Sequence, residues 1–231
     1  MHYVISDIHG NERRFDSILA QIDLKREDTL YVLGDVIDRH PDGLRILQRL
    51  MAMPNVQMIL GNHEYMMLRA LGEPADTNAD DGKAQAHWYH NGGGVTHSAW
   101  AWLRERVCWK ILDYLHELPL NIDVEVGGKK YKLVHGAPVE GWETNRDPKY
   151  RTATHYAVWR RLDPEEPLPW GQTVIFGHTP THYYQEGSPM GIWYGPGRIG
   201  IDCGSGWPED GSGGRLACLR LEDGAEFYSE E

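Results

Sequence analysis

The sequence predicts an α/β fold, and three observations predict it. The first half alternates short apolar runs with longer stretches of helical period, the second half is mostly short strand-like runs, and polar clusters stand directly after five of the runs. With 231 residues the chain can bury a sizeable core. Hydrophobic residues make up 41% and charged residues 25%, with 26 Gly and 13 Pro dispersed along the chain, which excludes disordered and fibrous classes.

Residues 3–6 form the first candidate strand. Phe15, Ile18, Leu19 and Ile22 then recur at helical spacing, and 29–33 makes a second strand closing on Gly34. Leu44, Leu47, Leu50 and Met51 mark the apolar face of a second helix, with Pro41 near its start, where a missing N–H costs little. Residues 56–60 make a third strand. From 72 to 94 the composition turns acidic and Gly-rich and predicts an insertion or cap, before helical spacing returns at Leu103, Val107, Ile111 and Leu115. The cap as a whole spans about 72–117. Residues 122–126 and 131–134 flank Gly127-Gly128 as a hairpin, 173–176 is a further strand, and 216–221 with 226–228 close the chain as a last hairpin. No repeat, low-complexity tract or linker interrupts 1–231, so the expectation is one domain.

The net charge of −11 argues against a broad nucleic-acid or anionic-membrane footprint, so an anionic substrate must be attracted locally. Cys108, Cys203 and Cys218 are odd in number and lie far apart, which argues against a disulfide framework or a cysteine zinc site. The first residues lack a basic, then apolar leader, and no apolar run approaches the ~20 residues that span a bilayer. The expected location is therefore the cytoplasm.

Five clusters carry the chemistry. Asp7-Ile8-His9-Gly10 follows the first strand, Gly34-Asp35-Val36-Ile37-Asp38-Arg39 the second, and Gly61-Asn62-His63-Glu64 the third. His135-Gly136 and Gly177-His178-Thr179-Pro180 follow two later runs. Each stands at a strand's carboxyl end, where open α/β sheets place their ligand sites. Asp, His and Asn without cysteine suit divalent Mn, Fe, Zn or Mg, and the set is large enough for two ions with one aspartate shared. Taken singly, each Asp or Asn could be a turn or cap residue and each His a satisfied loop residue; the repetition in position is hard to explain that way.

In this order and spacing, D-x-H-G, G-D-x-x-D-R, G-N-H-E, H-G and G-H-T resemble the calcineurin-like metallophosphoesterases. Within that superfamily the chain resembles the serine/threonine phosphoprotein phosphatase branch of the bacteriophage lambda and bacterial type. His87-Trp88 to Asn91-Gly92-Gly93-Gly94, Glu117-Leu118-Pro119-Leu120 and Phe176-Gly177-His178-Thr179-Pro180 are similar as well, and the match runs from about Tyr3 to Leu219. The resemblance implies a four-layer α/β/β/α fold, two mixed sheets in a sandwich flanked by helices. It implies a dinuclear centre of divalent ions, manganese foremost, in which Asp7 and His9 ligate the first metal, Asp35 bridges both, and Asn62, His135 and His178 complete the second. His63 resembles the family's general acid, oriented by Asp38. Arg39 and Asn62 would bind phosphate, and so would an arginine after Trp159, with Arg161 favoured over Arg160. Hydrolysis would proceed by metal-bound water or hydroxide, without a covalent phosphoenzyme.

The sequence departs from the pattern at His40, where the family usually has glycine, which alters the rim of the site without touching a ligand. The long C-terminal extension of the eukaryotic enzymes is absent, so no regulatory subunit is inherited. The expected partners are phosphoproteins or phosphopeptides, with no nucleic acid and no membrane. The alternative is a dinucleoside tetraphosphate hydrolase, disfavoured because those enzymes tend to read G-N-H-D and to lack the aspartate at Asp38; a catalytically silent scaffold is a third reading, and no ligand is missing to favour it. Asp76 to Gly82 hints at a calcium loop, but its glycine falls one place late and its twelfth position is His87. Residues 72–94 and 142–161 are expected to form the groove walls.

Overall fold

A computed structural model describes residues 1–71, 83–144, 147–168, 171–208 and 213–230. Its first sheet contains β1 (His2–Ile5), β2 (Thr29–Val32), β3 (Val56–Met58), β9 (Ala217–Arg220) and β10 (Glu226–Tyr228), in the order β10-β9-β1-β2-β3. The second contains β4 (Asn121–Val126), β5 (Lys129–Val134), β6 (Thr173–Phe176), β7 (Trp193–Gly195) and β8 (Arg198–Gly200), in the order β4-β5-β6-β8-β7. Strands β1, β2 and β3 run parallel, as do β5, β6 and β8, and the remaining pairings are antiparallel. Both sheets are therefore mixed.

Side chains alternate along each strand, and the alternation divides the core into layers. Val4, Tyr31, Leu33, Leu133, Ile175 and Leu219 pack together between the sheets. On the other face of the first sheet, Tyr3, Ile5, Leu30 and Val32 meet Phe15 and Ile18 of α1 (Glu12–Ile22), Leu44 and Leu47 of α2 (Gly43–Ala52), and Ile111 and Leu115 of α6 (Glu105–His116). On the outer face of the second sheet, Val134, Val174 and Phe176 meet Tyr156 of α8 (Ala153–Trp159), and α7 (Gly141–Thr144) lies beside it. Three apolar layers separate four layers of structure, which is the expected α/β/β/α sandwich. Strands buried on both faces read as unbroken apolar runs, which is why 3–6 and 29–33 were legible as strands. Helix α1 starts where the Asn11 side chain accepts from the Arg14 amide, and it stops at Asp23 in the left-handed conformation.

Several elements differ from expectation. The run 56–60 is paired only as far as Met58, after which the chain turns into α3 (Asn62–Leu71), a helix the spacing did not announce. The expected insertion at 72–94 is helical from Lys83 onward, as α4 (Lys83–His90) followed by α5 (Gly94–Trp100), while 72–82, with the calcium-like loop, lies outside the described residues. Helix α4 buries only Trp88, so it carries no apolar period to read. Strands β7 and β8 were also missed, because three residues containing glycine or arginine make no apolar run.

Phe15 is fully buried at the centre of the helix-facing layer. Phe15→Ala is expected to cost about 3–5 kcal/mol, read as a lower urea midpoint with little change in slope.

Candidate metal and phosphate site

The parallel strands of both sheets, three in each, bring their carboxyl ends to one site. Asp7 and His9 follow β1, Asp35, Asp38 and Arg39 follow β2, Asn62 and His63 follow β3, His135 follows β5 and His178 follows β6. Asp202, after β8, was not singled out in the sequence, and its only signal is an aspartate two residues past a three-residue strand. The turns that present these side chains are tight. Among the described residues seven non-glycine residues have positive φ, and six of them are Asp7, His9, Asp35, Asp38, Arg39 and His178. Asp and His are among the residues that tolerate this region best, and local strain of this kind gathers at functional sites.

The turns are held by polar contacts. The Glu64 carboxylate accepts the backbone N–H groups of Asp35, Val36 and Ile37 at 2.8, 2.8 and 3.3 Å. The His63 amide donates to Asp35 Oδ1 at 2.9 Å. Gly61 lets the third turn approach this closely, since a Cβ there would collide with Asp35 Oδ1 and Glu64 Oε2. Ser6 Oγ and the His178 amide both donate to Asp7 Oδ2, which leaves Oδ1 towards His9. Glu64 thus serves the backbone of the second turn.

Asp35 is the centre of the cluster. Its Oδ2 lies 3.7 Å from His9 Nε2 and 3.9 Å from His63 Nε2, and its Oδ1 lies 3.4 Å from His135 Nε2. Asn62 Oδ1 is 2.8 Å from His135 Nε2 and 2.9 Å from His178 Nδ1. The outward nitrogens of the three histidines face backbone carbonyls, His9 Nδ1 that of Ile37, His135 Nδ1 that of Leu33 and His178 Nε2 that of Trp159. A carbonyl takes a proton on that nitrogen, the arrangement that orients metal-ligating imidazoles, and the other nitrogen turns inward, towards Asp35 in His9 and towards Asn62 Oδ1 in His135 and His178. Burial, reinforced by neighbouring cations, holds His9 and His178 well below the ordinary histidine range. Ligand atoms of His9, Asp35 and His63 lie within 4.8 Å of one another, as do those of Asp35, His135 and His178.

The donor set fits two divalent ions sharing Asp35. Asp7, Asp35, Asp38, Glu64 and Asp202 are all buried. Burial, then Asp202 and Asp35, drives the Asp7 carboxyl well above the ordinary range; burial raises Glu64 to about 7 and Asp202 to about 6. Carboxylates crowded out of water in this way are stabilised as anions by a neighbouring cation.

His63 stands apart from the other histidines. Its Nδ1 is 2.7 Å from Asp38 Oδ2 and its Nε2 is 3.5 Å from an Arg39 guanidinium nitrogen, so a cation already flanks the inward nitrogen. Burial opposes charge on this ring, yet Asp35 and Asp38 overcome it and hold its pKa above the ordinary value. That is the environment of a proton donor. Arg39 is exposed at the mouth of the site. Arg160 is taken up by a bidentate ion pair with Glu166 at 2.8 and 2.6 Å, whereas Arg161 is exposed, lies 5.0 Å over the Tyr183 ring, and acts electrostatically on His178 and Asp202. The geometry therefore leaves Arg161, not Arg160, available to an anion, although it places neither in polar contact with the other site residues. His40 is half-buried on the rim, its amide facing the carbonyls of His9 and Asp38.

The model of the calcineurin-like phosphoesterase family matches residues 3–200. A symmetrical bis(5'-nucleosyl)-tetraphosphatase of Legionella pneumophila is 26% identical, over 97% of this chain and 95% of that protein. Serine/threonine-protein phosphatase 2 of Salmonella typhimurium is 30% identical, over 78% of this chain and 80% of that protein. The yeast (Saccharomyces cerevisiae) protein serine/threonine phosphatase structure superposes with a TM-score of 0.59 at 13% identity, covering all 100% of this chain and 79% of that one, a likeness of fold alone.

The raised carboxylates give the metal-free protein a defined pH response. Between about 4.5 and about 7 the native Glu64 binds a proton that the unfolded chain has lost, so stability falls as pH rises through that window, and Asp7 and Asp202 act in the same sense. The melting temperature without metal is expected to decline over this range. Added Mn²⁺ should restore it, most at the alkaline end, and Asp35→Asn should abolish the Mn²⁺-dependent rise.

Proposed function

The chain belongs to the calcineurin-like phosphoesterase family and is a hydrolase of phosphate esters or anhydrides, and from that membership we propose that it cleaves dinucleoside tetraphosphates. The observation that carries this reading is a wall of rings and cations beside the metal ligands. The Trp159 ring stands edge-on to His178 at 5.8 Å, His87 stacks on Trp159 at 5.5 Å, and His155 stacks on Tyr65 at 6.4 Å. Arg69 lies over Tyr65, and Arg69, Arg151 and Lys149 are the charged side chains acting on His155. Rings offer a base a stacking surface and the cations suit a polyphosphate arm, a local concentration of positive charge on a chain whose net charge is −11. The Legionella relative, matched nearly end to end, supports the same substrate.

Two divalent ions held by Asp7, His9, Asp35, Asn62, His135 and His178 would supply Lewis-acid polarisation of the phosphoryl group and an activated water. Arg39 would hold phosphoryl oxygens at the mouth, with Arg161 as a second cation near His178 and Asp202. His63 would give the proton on Nε2 to the departing oxygen while Asp38 keeps Nδ1 protonated.

A second reading, phosphoprotein phosphatase, is favoured by the Asp38–His63 contact at 2.7 Å and by the Salmonella relative. A serine or threonine alkoxide needs a proton to leave far more than a nucleoside diphosphate does, so a well-held general acid suits a monoester. No helix among the described residues is long and apolar enough to cross a membrane.

Phosphate and nucleotide release from diadenosine tetraphosphate and from a phosphothreonine peptide, assayed in parallel with Mn²⁺ and with EDTA, separates the readings. The expected result is Mn²⁺-dependent cleavage of the dinucleotide with kcat/KM about tenfold or more above that for the peptide, a margin of ~1.4 kcal/mol in transition-state binding. The reverse order would establish the phosphoprotein reading.

A further inference from the structure

Asp38 is fully buried, and one of its two carboxylate oxygens does all the side-chain work. Oδ2 faces His63 Nδ1 at 2.7 Å and also accepts the indole N–H of Trp88 at 2.7 Å, while Oδ1 is buried without a hydrogen-bond partner among the described residues. Trp88 is itself fully buried and belongs to α4 in the cap, fifty positions along the chain from Asp38. The contact is built from several sides. Gly93 packs against the indole, where a Cβ would collide with its Cδ1 and Nε1. Thr96 of α5 accepts the Asp38 amide at 3.0 Å, and Gly92 accepts the Arg39 amide on its carbonyl at 3.2 Å. The cap thus grips Asp38 and Arg39 together, in the two residues where the backbone has φ of 73° and 67°.

An indole N–H can only donate, so Trp88 fixes Oδ2 as an acceptor. The same Oδ2 accepts the Nδ1–H of His63, which directs Nε2 to the reacting phosphate. With both bonds on Oδ2, removal of the indole N–H leaves His63 as the only side-chain partner among the described residues, and the carboxylate can turn about its Cβ–Cγ bond. We propose that Trp88 is a positioning residue for proton delivery, holding Asp38 and through it the His63 ring in the orientation that hands a proton to the leaving group. In that step a P–O bond forms to water, the P–O bond to the leaving group breaks, and the Nε2 proton passes to the departing oxygen. The proton lost by water goes to solvent, from which His63 is recharged. The proposal rests on the reading of His63 as general acid and not on the choice between dinucleotide and phosphoprotein.

Leaving-group dependence tests it. A general acid matters little for 4-nitrophenolate and much for phenolate, so turnover of 4-nitrophenyl phosphate and phenyl phosphate is compared for wild type, Trp88→Phe and His63→Asn, each loaded with Mn²⁺. For Trp88→Phe the loss on phenyl phosphate should exceed the loss on 4-nitrophenyl phosphate by about tenfold or more, with a larger excess for His63→Asn. A general loss of structure would lower both substrates alike. Equal losses in Trp88→Phe, beside a leaving-group-dependent loss in His63→Asn, would overturn the role of Trp88. Equal losses in His63→Asn would overturn the general-acid reading and this proposal with it. Should Trp88→Phe fail to fold, the nine tryptophans of the wild type and of Asp38→Asn can be compared through their ¹⁵N-indole resonances. One strongly downfield, exchange-protected indole should move in Asp38→Asn; no movement would overturn the contact on which the proposal stands.

Discussion

The position of one carboxylate, Asp35, organises the rest of the site. It lies on the loop after β2, the middle of the three parallel strands in its sheet, and its oxygens come within 4 Å of histidines that follow three other strands. Such a carboxylate cannot be placed by its own backbone, because a left-handed turn at a non-glycine residue costs energy unless its surroundings over-determine it. Glu64 provides that constraint from inside α3 by accepting three consecutive amides of the turn, and the His63 amide fixes Asp35 Oδ1. The helix that carries Asn62 and His63 therefore also shapes the loop that carries Asp35, Asp38 and Arg39. Clusters that look independent in the sequence are one mechanical unit.

The electrostatic consequence follows from the same crowding. Five carboxylates are buried within one end of the sandwich, where burial holds the pKa of Asp7, Glu64 and Asp202 up and that of His9 and His178 down. A structure that concentrates anionic oxygen and neutral nitrogen donors in this way is destabilised by its own site until cations enter it. Stability and chemistry are therefore coupled: the arrangement that weakens the metal-free fold at neutral pH is the arrangement suited to hold divalent ions. His63, flanked by Asp38 on one side and Arg39 on the other, escapes the pattern and is left free to move a proton.

Much of this was legible in the sequence wherever burial on both faces forced an unbroken apolar run. The strands at 3–6, 29–33 and 173–176 could be read, and with them the residues that follow, because a ligand at a strand's end is announced by the strand. Asp202 was missed because β8 is short, contains Arg198 and Gly200, and sends no such announcement. Trp88 and Thr96 were missed as partners of Asp38 because the contact is tertiary: α4 has one buried residue and therefore no periodicity, and nothing local connects an indole to a carboxylate fifty positions earlier. Glu64 was visible as part of a motif, but its bonds to three amides of the second turn were not, because they are tertiary.

The central claim is that loops from both sheets converge on two divalent ions that share Asp35. Anomalous-difference diffraction from crystals grown with Mn²⁺ tests it most directly. The account predicts two peaks about 3.5–4 Å apart, one beside Asp7 and His9, the other beside Asn62, His135 and His178, with Asp35 between them. A single peak, or two peaks that do not share Asp35, would contradict it.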